Sequence, residues 1–213
     1  MNIYTFKGVV PDYYQAGYVL VKDGEALAVD LAFDPIALSD FLAEQNATLH
    51  AFLLTHCHFD HVFNADVLPK MFGVKLYASA KTQALLDDGS WLGQVDKTYH
   101  VDETLEDGQE LDIGPFHIQV IATPGHTADG LCYLVDGTSL FTGDTVLPPY
   151  VGRTDLPTGD EAALKASCDK LWQLPDEVVI YPGHVFRFDD QPKLARPRHT
   201  VGREKRTNII TRQ

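Results

Sequence analysis

Short apolar runs rich in Val, Ile, Leu and Tyr recur along the first part of the chain, each ended by polar or turn-forming residues. Residues 3–6, 18–22 and 26–30 read as strands, with Asp23-Gly24 as a hairpin turn between the last two. The period then changes. Residues 35–45 place Ile36, Leu38, Phe41 and Leu42 on a helical stripe, with Asp34 as N-cap and Pro35 at the first position. Residues 50–55 form an apolar run of the buried-strand type, and a helix is expected from about 60 to 72. A strand at 75–78 and a helix at 80–87 follow. Further on, 110–113 and 116–122 form a hairpin around Gly114-Pro115, and 131–135 and 139–141 form another around Asp136-Gly137. A helix over 160–172 and a strand at 178–181 complete the pattern. Each half can form a sheet with helices on one face. Two such halves packed sheet to sheet give an α/β fold, a four-layer αββα sandwich in a single domain over 1–213.

The polar residues that follow these strands carry the chemistry. His56, His58, Asp60 and His61 follow the run ending at Thr55; His126 follows the strand ending at Ala122. Asp144 follows Phe141, and His184 follows Tyr181. Loops at one end of a sheet are where sites are built. A single His or Asp after a strand is ordinarily a cap or turn residue, and His126 or His184 alone would be read that way. The run His56-Cys57-His58-Phe59-Asp60-His61 is different, because clustered imidazoles repel when charged and pack poorly when dry unless a cation holds them. In an extended turn His56 and His58 fall on the same side and can share one metal. Asp60 and His61 begin a helix and point towards a second. Imidazoles and carboxylates without a thiolate suit Zn²⁺, Fe²⁺ or Mn²⁺ and argue against a purely structural zinc site. Gly125, Gly143 and Gly183 each precede one of these residues, where a tight backbone is useful.

Composition narrows the partners. The 213 residues carry a formal net charge of -13, which repels polyphosphate and makes nucleic acid a poor partner. The tail runs against this trend: Arg196, Arg198, Arg203, Lys205, Arg206 and Arg212 face a single acid, Glu204. No apolar stretch is long enough to span a bilayer, and the N-terminus has no basic region followed by an apolar one. Cys57, Cys132 and Cys168 are far apart and form no CxxC pair. A cytoplasmic protein is therefore expected, with no membrane partner. Cys57 alternates away from its neighbouring histidines and is expected to pack inward. Oligomeric state is not legible, and a homo-oligomer stays open.

Taken together, Thr55-His56-Cys57-His58-Phe59-Asp60-His61, Thr123-Pro124-Gly125-His126-Thr127, Thr142-Gly143-Asp144 and Pro182-Gly183-His184 resemble the metallo-β-lactamase-fold hydrolase superfamily. They occur in that family's order across most of the chain. The resemblance implies the αββα sandwich. It also implies His56, His58 and His126 on one metal, Asp60, His61 and His184 on a second, and Asp144 bridging. An Asp at the bridging position points away from β-lactams. The stretch from Gly152 to Asp160 and the tail from Thr200 to Asn208 are similar to glyoxalase II-like thioesterases and to persulfide dioxygenases. The chain looks like the short form, lacking the extra helical domain of the larger hydroxyacylglutathione hydrolases. It departs from relatives at Ala16-Gly17-Tyr18, where an Asn is common, and in the long run from Val185 to His199, which lies beside a ligand and bears on substrate choice.

The chemistry implied is attack on a small thioester, such as an acyl-glutathione, by a water shared between two metals about 3.5–4 Å apart, its pKa lowered towards about 7. Asp60 orients that water. Zinc is the first expectation for the metals, with iron or manganese as alternatives. Arg153 is a candidate anchor for a substrate carboxylate, and Tyr150 a candidate pocket-lining residue. The competing reading is a persulfide dioxygenase with one iron on His56, His126 and Asp144. His50, His100, His117 and His199 have no motif around them.

Overall fold

The computed structural model describes residues 1–88, 99–185, 193–195 and 199–212. The first half runs β1 (Asn2–Lys7), β2 (Ala16–Lys22), β3 (Glu25–Val29), α1 (Pro35–Glu44), β4 (Thr48–Leu53), α2 (Phe59–Val62), α3 (Leu68–Phe72), β5 (Lys75–Ser79), α4 (Ala80–Asp88) and β6 (Glu103–Leu105). The second runs β7 (Glu110–Ile113), β8 (Phe116–Ala122), β9 (Leu131–Val135), β10 (Ser139–Gly143), β11 (Val146–Leu147), β12 (Tyr150–Val151), α5 (Glu161–Leu171), β13 (Val179–Pro182), β14 (Lys193–Leu194) and α6 (Val201–Thr207), with a final 3₁₀ turn at Ile209–Arg212. One sheet has the order β14-β1-β2-β3-β4-β5-β6 and the other β13-β10-β9-β8-β7. β1 to β3 are antiparallel, while β3 to β6 are parallel and joined across helices. In the second sheet β7 to β10 form an antiparallel meander, and β13 adds in parallel to β10 after α5.

Side-chain alternation along the strands builds three apolar layers, and these define the sandwich. Tyr18, Leu20, Leu27 and Leu53 from one sheet meet Phe116, Ile118, Val120, Tyr133 and Phe141 from the other. On the outer face of the first sheet, Val19, Ala28 and Phe52 pack beneath Leu38, Phe41 and Leu42 of α1 and Val62 and Leu68 of α2–α3. On the outer face of the second, Cys132, Leu134, Leu140 and Ile180 pack beneath Leu164, Cys168 and Leu171 of α5 and Val201 of α6. Burying one such aliphatic side chain contributes roughly 1.5–3 kcal/mol, so the fold is held mainly by these layers. The αββα architecture expected from the element order is the one observed.

Local chemistry sets the element ends. Asp34 accepts from the N–H groups of Ile36 and Ala37, both at 2.9 Å, and caps α1. Asp160 caps α5 by accepting from Ala163 N–H at 2.9 Å. Asp23-Gly24 and Asp136-Gly137 all have positive φ, which the tight hairpin turns demand. Two expectations need correcting. Ile36 is not part of the buried stripe of α1; it is 70% exposed. The helix expected over 60–72 is two short helices. The carbonyl of His61, which would continue the first helix, accepts instead from Leu31 N–H at 2.7 Å, and Leu31 C=O accepts from Asn64 N–H at 3.0 Å. The second helix restarts with Pro69 in its first turn. None of the helices among the described residues is long and apolar enough to cross a membrane.

Candidate metal centre

β8, β10 and β13 run in the same direction, because β8 and β10 are both antiparallel to β9 and β13 is parallel to β10. Their C-terminal ends deliver His126, Asp144 and His184 to one place. The corner after β4 is pulled to the same end by the second sheet. Leu131 N–H donates to Thr55 C=O at 2.8 Å, and the Tyr133 hydroxyl donates to Leu54 C=O at 2.6 Å. All seven predicted ligand residues converge, and they sort into two groups. The ligand atoms of His56, His58, His126 and Asp144 lie within 4.8 Å of one another, as do those of Asp60, His61 and His184. Asp144 faces both sets: Oδ2 lies 3.5 Å from His126 Nε2, while Oδ1 lies 2.8 Å from His184 Nδ1 and 3.5 Å from His61 Nε2.

Outer contacts fix how each ring is presented. His56 Nδ1 is 3.0 Å from the Thr55 hydroxyl, and His61 Nδ1 is 2.7 Å from Asp30 Oδ2. Both rings aim a buried Nε2 that has no hydrogen-bond partner into the cluster. His126 Nδ1 donates to the Arg153 carbonyl at 2.7 Å, which turns its Nε2 to within 2.9 Å of His58 Nδ1. Two ring nitrogens that close, with buried nitrogens orphaned beside them, are the arrangement expected of donors that share cations. The residues present therefore fit one divalent cation in each group.

The two groups differ electrostatically. Burial, then neighbouring His61 and His58, pushes the pKa of His56 well below its ordinary value. Burial and His126 push His58 down to about 3. In the second group burial again disfavours charge, but carboxylates outweigh it. Asp30, Asp144 and Asp60 hold His61 well above its ordinary range, and Asp144 with Asp60 raises His184 to about 9. Burial works against ionisation of Asp144 too, yet His184 and His61 keep its carboxyl well below the usual range, and His61 and His184 lower that of Asp60.

Glycine is required where backbone meets this centre. A Cβ on Gly183 would collide with Asp144 Oδ1 and His61, and one on Gly125 would collide with the backbone of Leu164. Cys57 is buried, as its alternation implied, and hydrogen-bonds Asp129; burial and that carboxylate push its thiol pKa up. Arg153 and Tyr150 lie outside the cluster. The guanidinium of Arg153 is exposed and paired bidentately with Asp155, both contacts at 2.6 Å. Tyr150 is 53% exposed. Of the run from Val185 to His199, residues 186–192 and 196–198 lie outside the described residues. Asp30 and the Arg153 carbonyl are the site groups not anticipated from sequence. The signal for Asp30 was a carboxylate ending an apolar strand. A backbone carbonyl leaves no signal.

A four-layer αββα sandwich with a His/Asp cluster at one end of both sheets defines a class of metal-binding scaffold. The metallo-beta-lactamase superfamily model matches residues 11–184, and the chain belongs to that superfamily. It is 31% identical over 175 residues to the probable metallo-hydrolase YqgX of Bacillus subtilis (strain 168), covering 78% of this chain and 83% of that protein. It is 35% identical over 171 residues to the hydroxyacylglutathione hydrolase of Brucella ovis, covering 79% of this chain but only 61% of that protein. Among solved structures it is similar to BLEG-1 B3 metallo-beta-lactamase, with TM-score 0.82 and 29% identity over 98% of this chain and 99% of that one. ETHE1 from Myxococcus xanthus gives TM-score 0.79 and 26% identity over 100% and 86%. TTHA1623 in a di-iron-bound form gives TM-score 0.77 and 28% identity over 96% and 98%.

Proposed function

We propose that this chain is a metal-dependent hydrolase of small thioesters, such as an acyl-glutathione, that works with two divalent cations. Zinc is the first choice, with iron or manganese as alternatives. The observation that carries the reading is the position of Asp144, whose two oxygens face different histidine groups. In this reading His56, His58 and His126 hold one cation, Asp60, His61 and His184 hold the other, and Asp144 lies between them. When bound, such a pair supplies Lewis acidity and lowers the pKa of water towards about 7. The protein's own groups do the rest. Asp30 and the Arg153 carbonyl fix the tautomers of His61 and His126, so that their Nε2 lone pairs face the centre. Asp60, held ionised, orients the attacking water and takes up its proton. A thiolate leaving group needs little protonation. Tyr150 and Arg153 stand on the substrate side, with Arg153 exchanging Asp155 for a substrate carboxylate.

The relatives named hydrolase support this reading, as does the likeness to TTHA1623 in its di-iron-bound form. The first group also contains a two-histidine, one-carboxylate set, His56, His126 and Asp144, of the kind that holds a single iron in oxygenases. The likeness to ETHE1 fits that alternative. Metal analysis of purified protein, coupled to thiol release from S-acyl-glutathiones, separates the two. Two cations per chain with thioester cleavage is the expected result. One iron per chain with oxygen uptake on glutathione persulfide would replace it, and turnover of a β-lactam alone would replace both. His58→Ala is expected to abolish turnover with circular dichroism unchanged; retained turnover removes His58 from the ligand set.

A further inference from the structure

The tail segment from Thr200 to Asn208 has no part in the chemistry above, yet it is built into the fold. Thr200 caps α6, whose first residue Val201 is fully buried and donates to Val178 C=O at 2.9 Å. Glu204 is 0% exposed although it is a carboxylate in a basic segment. Its Oε1 is 2.7 Å from His199 Nδ1, and its Oε2 accepts from the Asn208 amide at 3.1 Å. Asn208 is also fully buried. The same amide nitrogen donates to the Tyr150 carbonyl at 3.0 Å, and the next residue, Ile209, donates its N–H to Pro149 C=O at 3.1 Å.

Tyr150 and Pro149 form the tip of the β11–β12 hairpin, where Leu147 pairs with Tyr150. Both ends of that hairpin reach the first ligand group. Two residues before β11 is Asp144, and two residues after β12 is Arg153, whose carbonyl orients His126. Gly152 lies so close that a Cβ there would collide with the Asp144 carbonyl and the His126 ring. A shift of the hairpin tip therefore reaches the Arg153 carbonyl, the acceptor of His126. Among the described residues nothing comparable ties α6 to Asp60 or His61, which are held from Asp30 and Leu31.

We infer that Asn208 and Glu204 are positioning residues for the first ligand group, acting through the β11–β12 hairpin and the Arg153 carbonyl on His126. The inference rests on the metal-dependent reading above. It gives the buried acid of the basic tail a purpose: Glu204 orients Asn208, and Asn208 holds the hairpin. Outer partners of metal ligands are worth about 10- to 100-fold in affinity, so an effect of that size is expected in one group only.

The test is titration of metal-free protein with Zn²⁺ by calorimetry and chelator competition. His184→Ala isolates the first group, and His58→Ala isolates the second. Asn208→Ala is expected to weaken uptake about tenfold or more in the His184→Ala background. In the His58→Ala background it should change uptake by less than about twofold. Glu204→Ala should give the same loss, and the double variant no more than either, since the two residues act in series. Equal losses in both backgrounds, or none in either, would overturn the inference. Wild-type protein supplies a measurement that needs no variant. Because coupling is reciprocal, Zn²⁺ must slow amide hydrogen exchange at Ile209 and in α6, and unchanged exchange there also overturns it. Wild-type protein that takes up no Zn²⁺ would instead remove the metal reading itself.

Discussion

The two groups of candidate ligands sit side by side, with Asp144 facing both, and solve the problem of burying histidines in opposite ways. In the first, two imidazoles stay neutral: burial and mutual repulsion hold His56 and His58 far below their ordinary range. Its lone pairs are ready for a cation, and the group depends on backbone and hydroxyl contacts, Thr55 and the Arg153 carbonyl, for its geometry. The second is balanced by charge. His61 lies between Asp30, Asp60 and Asp144, and His184 between Asp60 and Asp144. Without a cation its histidines hold protons, so a cation must displace them. The lesson is that one cluster can be preorganised by dryness on one side and by counter-charge on the other.

The largest expected effect comes from the residue common to both. Asp144→Asn keeps the shape but removes the charge facing both sets. Loss of an outer partner alone costs about 10- to 100-fold in metal affinity, so loss of a shared ligand should weaken both uptake steps by more than about 100-fold. The metal-free chain should also lose roughly 3 kcal/mol, because His61 and His184 keep their protons with one carboxylate fewer. Calorimetric titration and urea unfolding check the two halves. Weakening of a single step would assign Asp144 to one group and break the comparison.

How much of this contrast could be read in the sequence depends on what carries it. The ligands were legible because His56-Cys57-His58-Phe59-Asp60-His61 has no packing rationale, and because Gly125, Gly143 and Gly183 mark where strands end. The layers were legible because alternation and the Asp-Gly turns are local. The break between α2 and α3 was not, since it is made by Leu31, which is remote from both in sequence and takes the His61 carbonyl. The short strands β11 and β12 carry no periodic signal, and the basic tail reads equally as a solvated or a self-docking segment until its one acid is found buried. What the sequence hides is tertiary contact between segments that are each locally unremarkable in composition.

A smaller effect follows from protonation. His184 must release a proton held with a pKa of about 9 and His61 a second one, so uptake by the second group should weaken by at least about tenfold per pH unit below that value. His58 holds no proton until about 3, so it adds no such dependence to uptake by the first group. Stability of the metal-free chain bends both ways. The raised pKa of His184 stabilises below its unfolded value of about 6.5, and that contribution is lost as pH rises through about 9. The depressed pKa of His58 stabilises above about 6.5, and that contribution is lost as pH falls towards about 3. Thermal midpoints of metal-free protein should therefore peak near pH 6.5, roughly midway between the two limbs. A midpoint that rises steadily across the range would mean the groups are not opposed.

The smallest expected effect separates two parts of one residue. The carbonyl of Arg153 orients His126 of the first group, whereas its guanidinium lies outside, bound to Asp155. Arg153→Ala keeps the carbonyl, so metal uptake should change by less than about twofold, an exposed ion pair contributing little to the fold. If the side chain serves substrate, the same variant should raise KM about tenfold for a thioester bearing a carboxylate, leave kcat in place, and spare an uncharged thioester. Asp155→Ala should move KM the other way by freeing the guanidinium. Unchanged KM with both variants would leave the guanidinium as a surface pair and confine the function of Arg153 to its backbone. Weakened uptake in Arg153→Ala would show instead that the ion pair holds the loop, so that the first group, like the second, depends on charge for its geometry.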